Sequence, residues 1–87
     1  MYEWDEAKQR ASLEKHGVDF ADMARFERET ATVIADDRRD YGEARARATG
    51  LIDGRLHVLT ITLRRQKLRV TSLRKANERE TGKWEKP

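Results

Sequence analysis

The residues most suited to chemistry in this chain are arginines. Arg64, Arg65, Arg69 and Arg74, with Lys67 and Lys75, fall between positions 64 and 75. The window 55–75 holds seven basic residues and no acidic one. Guanidinium forks bind phosphate oxygens bidentately and stay charged at any physiological pH. Grouped around a phosphodiester, they suit the extra negative charge of a pentacoordinate transition state. Other chemistries find less support. His16 and His57 stand far apart and share no ligand motif, so no metal site is expected. Asp36-Asp37 reads as a solvated turn. There is no P-loop and no dinucleotide-binding glycine fingerprint. Ser12 and Ser72 lie in no nucleophile elbow. His57 reads as a partly buried sheet residue and His16 as a helix C-terminal one. Trp4 and Trp84 read as core or partner-facing anchors before base-stacking platforms.

The charge balance points the same way. The 87 residues carry a formal net charge of only +3, but the two halves differ in sign. Residues 1–43 hold 7 Lys/Arg against 12 Asp/Glu, and residues 44–87 hold 12 against 4. Such asymmetry marks either a solvated surface or a face for a polyanion. The chain has no cysteine, so no disulfide can staple it. It shows no membrane-length apolar run, and its acidic MYEWDEAK opening is unlike a signal peptide. The expectation is a single soluble cytoplasmic domain over residues 1–87.

Local signals suggest how the basic residues are positioned. Tyr2–Trp4 reads as a brief edge strand or extended arm. Asp5 should cap a helix running to His16, with Gly17 in the left-handed closing position and a thin apolar stripe of Ala7 and Ala11. Asp19 should cap a second helix fading near Glu27–Glu29, with Val18 and Met23 spaced as a hydrophobic staple. Thr30–Ala35 is β-branched and reads as a strand. Asp36–Gly42 reads as a polar loop, followed by strands over Glu43–Ile52 and Arg55–Leu63. Asp53-Gly54 between them predicts a type I′ hairpin turn. A polar turn from Arg64 leads to a last strand, Lys67–Leu73. Asn77 and Glu80 form a capping box for a final helix. The expected class is α+β: N-terminal helices, a four-stranded antiparallel sheet and a C-terminal helix. Strict alternation places Ser72 and Arg74 with Leu68 and Val70, and Arg69 on the other face unless a bulge intervenes.

Several segments together resemble the BrnT-type toxins of bacterial type II toxin–antitoxin modules. They are YEWDEAKQRASLEKHGVDF, DDRRDYGE, GLIDGR and TLRRQKLRVTSLRKANERE, in that order along nearly the whole chain. The resemblance implies a RelE-like fold and a metal-independent endoribonuclease that halts translation, with no cofactor. It also implies a BrnA-like antitoxin that covers the toxin and represses the shared operon, so that operator DNA is met only through the antitoxin. The assembly it implies is two toxins bridged by an antitoxin dimer. The positions matching the family's polar set are Lys8, Lys15, His16, Arg64, Arg69, Ser72 and Arg74. Departures fall at Ser12, where the family usually has Asn, at Arg65, where it usually has Gly, and at Ala44–Ala48, where it is bulkier.

The expected activity is RNA cleavage by attack of a 2′-hydroxyl on the adjacent phosphate. Arg64, Arg74 and Lys8 are the candidate catalytic residues. Arg65, Lys67, Arg69, Ser72 and Lys75 are candidate RNA contacts, Arg69 being equally readable as structural. Only His57 or His16 offers a base near neutral pH. The alternative is a non-catalytic RNA- or ribosome-binding module, or a toxin remnant that binds only its antitoxin.

Overall fold

The computed structural model describes residues 2–35, 44–64 and 67–84. The chain runs β1 (Tyr2–Trp4), α1 (Glu6–His16), a 3₁₀ helix (Phe20–Arg25), β2 (Thr32–Ala35), β3 (Ala44–Ile52), β4 (Arg55–Arg64), β5 (Lys67–Lys75) and α2 (Glu78–Lys83). The expected polar loop at Asp36–Gly42 and the chain end at Pro87 lie outside the described residues.

Helix α1 begins where the Asp5 carboxylate accepts from the backbone N–H groups of Ala7 and Lys8. These bonds hold Asp5 below the usual carboxylate range. The helix ends at Gly17, whose φ of 72° lets its N–H reach the Leu13 carbonyl. The expected alanine stripe does not pack, since Ala7 and Ala11 are exposed. Ser12 is the buried residue of this helix, and its hydroxyl donates to the Leu73 carbonyl of β5 at 3.3 Å. Ser12 thus ties α1 to β5.

The second helix is shorter and tighter than expected. Asp19 caps it, with its carboxylate accepting from the Ala21 N–H, but it is a 3₁₀ segment that stops at Arg25. Val18, Phe20 and Met23 are buried. Burying Phe20 and Met23 from one short turn suits the tighter 3₁₀ geometry, in which side chains three apart eclipse. The hairpin turn is as expected: Asp53 and Gly54 both have positive φ, 51° and 79°.

The sheet differs from the four-stranded antiparallel expectation. It has five strands in the order β1-β5-β4-β3-β2. β2 through β5 form the antiparallel meander, and β1 adds parallel to β5, with Trp4 opposite Val70. The reason is the partly buried ring of Trp4, which meets Phe20 edge-on at 6.2 Å between centroids and draws the N-terminal arm onto the sheet.

Helix α1 and the 3₁₀ helix cover one face of the sheet. Val18, Phe20, Met23, Ala48, Ile52, Leu59, Val70 and Leu73 form the core there, with Trp4, Phe26 and Ile61 packed against it. Gly50 lets Phe26 approach: a Cβ at that position would lie 2.7 Å from the ring. A smaller cluster on the other face joins Leu56, Val58 and Ala76 to Leu51 and Trp84. α2 is fastened by the capping box expected of Asn77 and Glu80.

Candidate nucleic-acid interface

The basic residues of β5 are arranged by one irregularity. β4 and β5 pair in simple register from His57–Lys75 to Thr60–Ser72, then resume at Ile61–Val70. Thr71 is therefore the extra residue of a β-bulge, and its hydroxyl donates to the Thr60 carbonyl at 3.2 Å. The bulge restarts the alternation. Val70 and Leu73, three apart, both lie in the helix-covered core.

Residues directly opposite on paired strands share a face. Arg74 lies opposite Val58, Ser72 opposite Thr60, Arg69 opposite Thr62 and Lys67 opposite Arg64. The four β4 partners alternate along one strand, so Lys67, Arg69, Ser72 and Arg74 share the face away from α1. Strict alternation had separated Arg69 from Ser72 and Arg74, and the bulge reunites them. On β3, Arg45 and Arg47 lie opposite Thr62 and Thr60 and join the same face. The alternating ARARA run thus turns its alanines to the core side and its arginines to the open side. Thr62, flanked in register by Arg45 and Arg69, is only 1% exposed. Long arginine stems commonly cover such a residue while keeping the charged head in water.

Arg74 is held at both ends of its fork. Its Nη1 and Nη2 donate to Glu80 Oε1 and Oε2 at 2.7 and 2.8 Å. The pair is largely shielded, with side-chain exposures of 30% and 28%. The guanidinium holds the Glu80 carboxyl down from an ordinary 4.5 to about 2, with help from the Asn77 N–H and the charge of Arg47. The same carboxylate raises Arg74 further above the usual arginine range. Glu80 therefore couples the cap of α2 to the arginine face.

Lys8 is exposed in the first turns of α1, away from the strand register that aligns the β5 residues. Lys75 lies opposite His57, on the α1 side of the sheet. Both line a cleft of 420 Å³ with Gly17, Asp22, Arg25, Asp53 and Arg55. His57 is 5% exposed, and its Nδ1 lies 2.7 Å from the Arg55 carbonyl, so that nitrogen carries the proton. His16 is half-buried at the end of α1. Burial lowers its pKa first, followed by the charges of Lys15 and Arg74. The backbone of Arg64 ends β4 opposite Lys67. The Arg64 side chain and the whole of Arg65 lie outside the described residues.

The sequence reading missed three members of this surface. Arg45 and Arg47 were legible from their alternation with alanine. Glu80 was seen as a cap, without its arginine partner. A groove of 560 Å³ lies beside them, lined by Thr32, Ile34, Arg47, Thr49, Val58, Glu80, Lys83 and Trp84. Among the described residues no group of three or more His, Asp or Glu is placed to hold a metal. No helix among them is long and apolar enough to cross a membrane.

Comparison with known proteins gives the family. The model of the ribonuclease toxin BrnT, of type II toxin–antitoxin systems, matches residues 4–80. The match covers most of the chain, which therefore belongs to the BrnT family of ribonuclease toxins. No curated protein matches it. Membership of a type II system implies an antitoxin partner.

Proposed function

We propose that this BrnT-family chain is a metal-independent endoribonuclease whose active surface is the open, arginine-bearing face of the sheet. The observation that carries the reading is the bulge at Thr71, which aligns Arg69, Ser72 and Arg74 on one face. The 2′-hydroxyl of one nucleotide attacks the adjacent phosphorus as the 5′-oxygen of the next leaves. The hydroxyl proton passes to a base, and the leaving oxygen takes up a proton. The products are a 2′,3′-cyclic phosphate and a 5′-hydroxyl end.

Arg74 is the leading contact to the phosphorane oxygens through the N–H groups it does not give to Glu80, since that carboxylate takes one edge of the guanidinium and fixes its plane. Arg64 is its proposed companion. Arg69, Ser72, Arg65 and Lys67 hold flanking RNA. Lys8 on α1 and Lys75 on the opposite face act through long-range attraction. Of the two histidines, His16 is the one whose titration feels Arg74, and its lowered pKa leaves it neutral and able to accept a proton at pH 7.

The partner is a BrnA-like antitoxin, in a complex of two toxins and two antitoxins that meets operator DNA through the antitoxin. Masking the arginine face is the simplest inhibition, and RelE-like cleavage of cytoplasmic RNA would arrest translation. Induction of the chain should stop growth and fragment RNA, with rescue by the antitoxin. If the pair Arg64→Ala and Arg74→Ala cleaves RNA at the parent rate, the arginine mechanism is wrong. A parent chain that binds RNA with steep salt dependence but never cleaves it is a binding module instead.

A further inference from the structure

We infer that the groove between α2 and the outer strands is a nucleobase subsite, in which a single-stranded RNA base stacks on Trp84 while Arg47 and Lys83 hold its flanking phosphates. This rests on the reading of the open face as the RNA surface and adds to it the place where a base is held.

Three observations carry the inference. The first is composition. The floor is Val58 and Thr49, and Trp84 and Ile34 also line the space. Ile34 is 60% exposed on a strand whose other edge has no partner among the described residues, so an aliphatic wall stands open to solvent. A flat ring between an indole and an aliphatic side chain loses both its faces to apolar contact. Stacking of this kind accepts any base, because each has a π-face.

The second is charge. Arg47 and Lys83 line the same groove, as the backbone of single-stranded RNA requires of a binding channel. Arg47 also lies opposite Ile34 in the sheet, which places a cation beside the proposed stacking wall. The volume of 560 Å³ falls in the range of small-molecule sites and admits a nucleotide.

The third is continuity. Glu80 lines the groove and also grips Arg74 with both oxygens. The groove therefore opens directly beside the arginine proposed to meet the scissile phosphate. A base seated against Trp84 would fix the position of the neighbouring phosphodiester, and orientation of this kind is a large part of what phosphoryl chemistry needs. The Trp84 indole N–H is buried and has no acceptor among the described residues.

The test uses the full chain with Trp4→Phe, which leaves Trp84 as the sole indole, since the chain has two tryptophans. A short 2′-O-methyl oligonucleotide, which cannot be cleaved, is titrated while Trp84 emission is followed. An abasic oligomer of equal length is the control. The expected result is quenching by the base-bearing oligonucleotide, with little quenching and about tenfold weaker binding for the abasic one. Trp84→Ala, read by competition, should weaken the base-bearing oligonucleotide about tenfold and leave abasic binding unchanged. Should Trp84→Ala unfold α2, Arg47→Gln takes its place and should weaken oligonucleotide binding severalfold with the fold intact. Equal binding and quenching by both oligomers overturns the subsite. So does quenching by the antitoxin with none by RNA, which would make the groove a protein-docking surface. Cleavage lost in Arg74→Ala beside base-independent binding sinks the subsite and spares the ribonuclease. Base-dependent quenching by a chain that never cleaves RNA does the reverse.

Discussion

The two faces of this sheet are built from the same strands and solve opposite problems. On the α1 side, Leu59, Val70 and Leu73 are at most 1% exposed and lock against Phe20. On the other side, the same strands present Arg45, Arg47, Arg69 and Arg74 over a floor of Thr60, Thr62 and Ser72. Apolar burial holds the first face, at roughly 25 cal/mol per Å². The second invests little in burial beyond the α2 corner and carries charge instead, with Arg74 paired to Glu80. The bulge at Thr71 permits both, because it lets Val70 and Leu73 face the core while Arg69 and Arg74 face away. A fold this small keeps its apolar core and its arginine surface on opposite sides of one sheet.

Substitutions that strike one face should leave the other's property intact. The largest effect is expected from Leu59→Ala, which should cost about 2–5 kcal/mol of stability. Chemical denaturation measures that loss, and cleavage per folded molecule should stay within twofold of the parent. A specific loss of cleavage by the folded fraction would merge the two faces.

Arg74→Ala should act the other way. Removing one preorganised donor to the transition state should slow RNA cleavage about a hundredfold or more. A single-turnover cleavage assay reads this, and the denaturation midpoint should move much less than for Leu59→Ala. A full-speed variant would return Arg74 to the role of a plain anchor for α2.

Glu80→Gln acts within the open face, where α2 is fastened to the arginines. The folded carboxyl titrates near 2 against an ordinary 4.5, a depressed value. Its contribution is complete above about pH 4.5 and is lost as pH falls toward 2. The variant should lose about 1–2 kcal/mol at neutral pH, allowing for the remaining solvent exposure of the pair. Its acid-unfolding curve should be flatter between those two pH values. An acid limb identical to the parent's would show that the fork does not hold α2.

The smallest effect concerns His16. Burial and two nearby cations lower its pKa below the usual 6.5, so it stays neutral to lower pH than a free histidine. Cleavage should fall as pH drops through that lowered value, and His16→Gln should remove this limb with a loss of about tenfold or more at neutral pH. A pH profile that is unchanged in the variant would give the base to another group.

Much of the fold was legible where a local signal had no competitor. The Asp5 and Gly17 caps, the Asp53-Gly54 turn and the Asn77–Glu80 box each follow from short-range backbone chemistry. What could not be read depends on distant partners. Nothing near Tyr2–Trp4 says that the arm pairs parallel to β5, because that choice is made by the ring of Phe20. Helix α1 packs through Ser12 and a carbonyl of β5, which no apolar stripe announces. The bulge was named as the condition for one arginine face, but Thr71 has no Gly or Pro neighbour to betray it. Of the proposed site, Arg69, Ser72 and Arg74 are suggested by residue type. The role of Glu80 and the joining of Arg45 and Arg47 to them needed register across three strands.

Arg69 is the residue on which the shared face depends, since strict alternation would have put it on the face opposite Ser72 and Arg74. The most direct test is the salt dependence of binding to an uncleavable 2′-O-methyl RNA, compared between the parent and Arg69→Ala. Loss of one phosphate contact should reduce the slope of log affinity against log salt by about 0.7–1, as for Arg74→Ala. A slope equal to the parent's, with stability lost instead, would place Arg69 outside the RNA surface and contradict the account.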